Sequence, residues 1–205
     1  MKQVVAADEL ANEIDAARAA GKRVAFVPTM GALHEGHLSL VRQARDNADF
    51  VVVSIFVNPL QFGPAEDFEK YPRDLVADAE LLQSVGADLL WAPTVDVIYP
   101  NGGKITKHAG EIGDLYEGAS RPGHFDGMLT VVARLFDLVK PDIAVFGAKD
   151  AQQVALIRQM VAHDFDQISM YEAPTVREAS GLAMSSRNRY LTEHQREVAS
   201  HLSAA

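Results

Sequence analysis

The chain has no cysteine among its 205 residues. That excludes disulfides, thiolate–metal centres and a cysteine nucleophile, and fits a cytoplasmic setting. No run approaches the roughly 18 apolar residues of a membrane span, and the first residues lack the apolar core of a signal peptide. Neither a membrane partner nor secretion is expected. Positive charge is short too: 19 Lys and Arg against 28 Asp and Glu leave a net charge of −9 at pH 7. A general nucleic-acid binder is usually basic, so no nucleic-acid partner is expected, although a few local cations can still hold a small anion. Repeats and low-complexity tracts are absent as well. What is there is ordinary for a globular protein, 48% hydrophobic and 23% charged, with length for one α/β domain or one domain plus part of another.

Strand and helix patterns alternate along the chain. Strands are expected at 24–27, 50–57, 87–92, 143–146 and 167–172, with a short one near 105–107. Helices are expected at 8–20, closed by Gly21, and at 38–48, 74–85, 127–139 and 150–163. The run Phe50-Val51-Val52-Val53-Ser54-Ile55-Phe56-Val57 is nearly continuous and β-branched, the pattern of a strand buried on both faces of a parallel sheet. The alternation predicts an α/β fold, a doubly wound parallel sheet. In such sheets ligands sit beyond the carboxyl ends of the strands, where four chemistry-bearing segments fall.

The first is Pro28-Thr29-Met30-Gly31-Ala32-Leu33-His34-Glu35-Gly36-His37, between a strand and a helix start. Free N–H groups and the helix dipole make such a turn an anion site, and neutral imidazoles there donate hydrogen bonds without permanent charge. Two solvated surface histidines are the plain alternative. Metal binding is disfavoured, since no third ligand of matching type lies nearby in sequence. The second is Asn58-Pro59-Leu60-Gln61-Phe62-Gly63, whose amides suit hydroxyls and a carboxylate; simple turn chemistry is the alternative. Tyr71-Pro72-Arg73 closes that loop, with Arg73 read as a surface charge. The third is Gly147-Ala148-Lys149-Asp150-Ala151-Gln152-Gln153, a phosphate cradle with Lys149 as point charge, in which Asp150 and Gln153 also match a capping box. The fourth is Gly181-Leu182-Ala183-Met184-Ser185-Ser186-Arg187-Asn188, where hydroxyls and a guanidinium would meet phosphates; an interdomain linker is the alternative. Arg121-Pro122-Gly123-His124-Phe125 reads from composition as a surface turn.

In this order, from residue 28 to 188, and with Glu117-Gly118 before Arg121, these segments resemble the pantothenate synthetase family of the HxGH nucleotidyltransferases. The resemblance implies a Rossmann-like core and an ATP-dependent, AMP-forming ligase that joins pantoate to β-alanine through a pantoyl adenylate. It implies Mg2+ with the ATP, a cytoplasmic location and a homodimer. By residue, it implies catalytic roles for His34, His37, Lys149, Ser185 and Arg187. Contacts to ATP or adenylate fall to Pro28, Met30, His34, Gly36 and His37, to Gly147, Lys149 and Asp150, and to Val176, Met184, Ser185, Ser186 and Arg187. Pantoate falls to Met30, Gln61 and Gln153, and the β-alanine side of the pocket to Asn58, Tyr71 and Arg121. No metal ligand is assigned; Asp78 is the one candidate. Ala148 stands where many relatives carry glutamate.

Residues 1–178 are expected to form the nucleotide- and pantoate-binding domain, and 179–205 a linker and the first helix of a second, lid-like domain. That helix opens with the capping-box pattern Thr192-Glu193-His194-Gln195 and stops soon after, so this form is expected to turn over poorly.

Overall fold

Residues 1–64 and 66–203 are described by a computed structural model. The amino-terminal half runs β1 (Lys2–Val4), α1 (Ala7–Ala19), β2 (Val24–Thr29), α2 (Glu35–Asn47), β3 (Phe50–Ile55), α3 (Leu75–Ser84), β4 (Leu89–Trp91) and α4 (Val95–Ile98). The short turns α5 (Gly110–Gly113) and α6 (Glu117–Ser120) precede α7 (His124–Val139), β5 (Ile143–Gly147), α8 (Ala151–Asp164), β6 (Ser169–Ala173) and α9 (Glu193–Ser200).

The six strands form one parallel sheet in the order β1-β4-β3-β2-β5-β6. Its central strand reads as predicted: Val51, Val52, Val53 and Ser54 are wholly buried. Val52 faces a core built with α1, α7 and α8, while Val51 and Val53 face a second core built with α2 and α3. The chain winds outward from β2 through β3 to β4, then returns to add β5 and β6 on the other side. Strand order therefore reverses between β2 and β5, the place where a crevice opens in such folds. Pairing makes the crevice visible. β2 and β5 pair only at Ala25–Ile143 and Phe26–Ala144, whereas β2 and β3 pair over six residues. Beyond Phe26 and Ala144 the two strands run on without pairing.

Several expectations shift. No strand forms at 105–107: the amides of Thr106 and Lys107 donate to the Thr130 hydroxyl of α7 instead of to a neighbouring strand. β1 escapes sequence detection because only Val4 of its three residues is buried. Helix α2 begins at Glu35, three residues before the expected start, which places His37 inside its first turn. The capping box at Thr192 forms as expected: the Thr192 hydroxyl accepts from the Gln195 amide, and the Gln195 side chain accepts from the Thr192 amide. Residues 204 and 205 of the expected second domain lie outside the described residues. Val198 and Leu202 are exposed. Among the described residues no helix is long and apolar enough to cross a membrane.

Candidate active site

The His34–His37 turn is built from its backbone outward. Gly31 has φ +83° and Ala32, unusually for a side-chain-bearing residue, φ +50°. The Asp78 carboxylate of α3 holds this bend, accepting from the amides of Ala32 at 2.9 Å and Leu33 at 2.7 Å. From the other side the buried Ser186 hydroxyl donates to the Ala32 carbonyl at 2.9 Å. Asp78, the candidate metal ligand of the sequence, is in this fold the turn's anchor, each carboxylate oxygen accepting from one backbone amide. Among the described residues no group of three or more His, Asp or Glu side chains could hold a metal ion.

His34 caps α2. Its Nδ1 accepts from the Gly36 amide at 3.1 Å, and His37 Nδ1 accepts from the His34 amide at 3.4 Å. The ring centroids lie 4.1 Å apart. Because each Nδ1 is an acceptor, each neutral ring carries its proton on Nε2 and offers it as a donor. Burial, then the neighbouring His34 and Lys149, push His37 down to about 3. Burial, then Lys149 and Arg189, lower His34 as well. At neutral pH the pair is a set of uncharged donors.

Glycine at position 36 follows from the same geometry, since a Cβ there would lie 2.9 Å from two atoms of the His34 ring. The ring is the free end of a side chain and can swing aside. Gly36→Ala should therefore change stability by less than about 1 kcal/mol but turn His34 out of place. The expected result is a melting temperature within a few degrees of the parent and at least a tenfold loss of nucleotide affinity by titration calorimetry.

The crevice between β2 and β5 is walled by Pro28, Met30, Gly36 and Gly147, with Val176 and Met184 across from them. Met128, Val131 and Leu135 of α7 supply an apolar floor that the sequence does not announce. Their helical spacing reads as core, and all three are indeed buried. Gln61 and Gln153 face into this space beside His34, His37, Lys149 and Asp150. The Gln61 Oε1 accepts from Asn58, while its Nε2 meets only the Met30 sulfur at 3.4 Å. One amide donor there is nearly unspent.

Asn58 lies beneath the pocket and not in it. Its Nδ2 donates to Gln61 Oε1 and the Gly127 carbonyl, both at 3.1 Å. Its Oδ1 accepts from the Leu60 amide and the Tyr99 hydroxyl. With its hydrogen-bonding capacity used, Asn58 positions Gln61 and has nothing to offer a ligand. Asp150 is corrected in a different way. It stands at the N-cap of α8 without a side-chain cap bond, because its carboxylate takes the Lys149 ammonium at 2.9 Å.

An adjoining polar pocket is lined by Tyr71, Arg121, His124, Ser185, Ser186 and Arg187. Each arginine is already paired with a carboxylate of the loop after β3. Arg121 meets Glu66 and Glu117, and Arg187 grips Asp67 through two bonds of 2.9 and 3.0 Å while lying over the Tyr71 ring. These guanidiniums hold Glu66 and Asp67 below the usual carboxylate range. Ser185 Oγ accepts from the Arg187 amide. The Ser186 proton goes to Ala32, so that hydroxyl braces the turn more than it serves a ligand. His124 Nδ1 donates to the Gln61 carbonyl at 2.8 Å, leaving Nε2 to accept from Arg121 at 3.1 Å. Together the two pockets present neutral donors, a lysine and two arginines around an apolar-walled crevice, a setting for an anionic ligand with an apolar part.

Comparison with known proteins agrees with this picture. A family model described as Pantoate-beta-alanine ligase matches residues 2–205. The chain is 58% identical over 194 residues to a pantothenate synthetase of Acidothermus cellulolyticus, covering 94% of this chain and 64% of that protein. It is 53% identical to one of Novosphingobium aromaticivorans, covering 100% and 73% respectively. The chain thus spans about two thirds of the length of these relatives. Among solved structures, a pantothenate synthetase of Thermus thermophilus is similar with TM-score 0.91 and 51% identity, over 100% of this chain and 72% of that one. A pantoate-beta-alanine ligase of Francisella tularensis, complexed with beta-gamma ATP and beta-alanine, aligns with TM-score 0.91 and 40% identity, over 100% and 78%.

Proposed function

This chain belongs to the pantoate-beta-alanine ligase family, and we propose that it activates pantoate with ATP and passes the acyl group to β-alanine. The pantoate carboxylate attacks the α-phosphorus of ATP, forming pantoyl adenylate and releasing pyrophosphate. The β-alanine amine then attacks the acyl carbon, the C–O bond to phosphate breaks, and AMP leaves. The observation that carries this reading is the single crevice holding uncharged imidazole donors, Lys149 and two glutamine amides.

Charge develops on the α-phosphate and the departing pyrophosphate in the first step. Donors fixed in place before the reaction stabilise such charge most effectively. His34 and His37 supply Nε2–H donors, and Lys149 and Arg187 supply positive charge. Gln61 and Gln153 suit a carboxylate and hydroxyls, where a phosphorylated substrate would call for cations. Tyr71 and Arg121 face the β-alanine side. No protein nucleophile is needed, in keeping with a chain free of cysteine. Mg2+ enters as part of the MgATP substrate, held by phosphate oxygens, which fits a donor set of neutral nitrogens and paired carboxylates. A cytoplasmic homodimer is the setting this reading carries with it.

The test is to supply ATP and pantoate without β-alanine. Pyrophosphate should appear, with AMP following only when β-alanine is added; AMP formation independent of β-alanine would count against the proposal. Replacing Gln61 by alanine should raise the pantoate KM roughly tenfold or more, since a lost hydrogen bond to a charged group is worth about 1.5–3 kcal/mol, and leave the ATP KM near the parent value. Steady-state pyrophosphate release checks this.

A further inference from the structure

Gln152 stands next to Gln153 but does not share its pocket. Its Nε2 donates to the carbonyls of Ile112 and Leu115, both at 2.8 Å, and its Oε1 accepts from the Glu117 amide at 3.2 Å. Three bonds from one side chain thus reach across about 40 residues of sequence to a loop with little core of its own. They bracket Tyr116, whose side chain is 83% exposed and whose φ of 49° and ψ of −113° are strained for a bulky residue. Such a conformation persists only where the neighbouring peptides are held. Gln152 holds them on both sides, through the Leu115 carbonyl and the Glu117 amide. The loop is also closely folded: a Cβ on Gly118 would lie 1.7 Å from the Gly113 carbonyl oxygen.

Just past this loop stands Arg121, a cation of the polar pocket. The Arg121 amide donates to the Glu117 carbonyl at 2.9 Å, and its guanidinium meets the Glu117 carboxylate at 2.9 Å. The same guanidinium reaches His124 Nε2, whose ring is tied through Nδ1 to the Gln61 carbonyl. A continuous chain of hydrogen bonds runs from the first turn of α8 to the far wall of the pocket.

We propose that Gln152 is a positioning residue which, by tying the 112–117 loop to the start of α8, sets Arg121 over the pocket. That Arg121 then meets a substrate carboxylate rests on the ligase reading; the clamp itself does not. The test is Gln152→Met, which keeps the side chain's length and removes all three bonds, with Gln152→Glu as a second variant that sets a carboxylate against two carbonyl oxygens. Both should melt close to the parent, because Gln152 is only half-buried at the surface. Hydrogen exchange of amides 113–118 should quicken at least tenfold while α7 and the sheet are unchanged. Burial and, less strongly, the Arg121 guanidinium hold the His124 ring below the ordinary histidine range, against the hydrogen bond to the Gln61 carbonyl and the charges of Glu117 and Glu66. In an NMR titration the ring should therefore move part of the way up as Arg121 withdraws, with His37 unmoved. Unchanged loop exchange, or a loosened loop with an unmoved His124, overturns the proposal. The KM for β-alanine should rise about tenfold with the ATP KM constant. If the loop and His124 respond but this KM does not, the substrate assignment of Arg121 falls and the clamp stands.

Discussion

Replacing His37 by alanine should lower the rate of pyrophosphate release by two to three orders of magnitude without unfolding the protein. Removing one donor aimed at charge developing in a transition state typically costs about 2.7–4 kcal/mol, a factor of roughly 10²–10³. His37 fits that role more closely than that of a base or a cation. Its Nδ1 is bound to the His34 amide, which turns Nε2–H outward, and its environment pushes it down to about 3. The same observation sets the pH dependence. Held down to about 3, His37 does not titrate between pH 8 and 5, so no change of rate from it is expected across that range. A histidine acting as a cation would instead give a rate rising as pH fell through about 6.5. Rates of His37→Ala and the parent across that range, measured as pyrophosphate release, check both statements.

The largest effect on stability is expected at Asp78. Asp78→Ala leaves the buried amides of Ala32 and Leu33 without acceptors, at about 1–3 kcal/mol each, and opens a small cavity besides. A total of roughly 3–5 kcal/mol corresponds to a fall of about 8–15 °C in melting temperature for a domain of this size. Asp78→Asn, equal in shape but with one acceptor lost, should cost less. Nucleotide binding should weaken in both variants, because Asp78 holds the left-handed bend at Ala32 that aims His34. Differential scanning calorimetry with and without ATP separates the two effects: the ATP-induced rise in melting temperature shrinks if the turn has moved, and is preserved if Asp78 is merely structural.

These two residues also show how far the sequence can be read. The histidine pair is visible because its three-residue spacing, its glycine and the strand before it lie close together in the chain. Asp78 belongs to the same turn but stands far beyond His37 in sequence, on a helix face where an acidic residue is unremarkable. Nothing local marks it as an anchor. Asn58 is misplaced by sequence for a related reason: an amide after a strand suits a ligand and a buried network equally, and only its four partners decide for the network. At Asp150 the capping-box pattern is genuine as a pattern, but the adjacent Lys149 takes the carboxylate. The doubly wound parallel sheet is legible throughout, since periodicity and β-branched runs report burial directly. Its short edge strand β1 is not, because three residues with one buried side chain carry no period. The apolar floor from α7 is hidden differently, as a helix face lining a pocket has the same spacing as one filling a core.

On the proposed route a pantoate carboxylate oxygen attacks the α-phosphorus of ATP in the crevice between β2 and β5. This step is tested most directly with pantoate labelled with 18O in its carboxylate, turned over with ATP and β-alanine. The adenylate route predicts one 18O in the phosphate of AMP and none in pyrophosphate. Label in pyrophosphate or in inorganic phosphate, or AMP free of label, would contradict it.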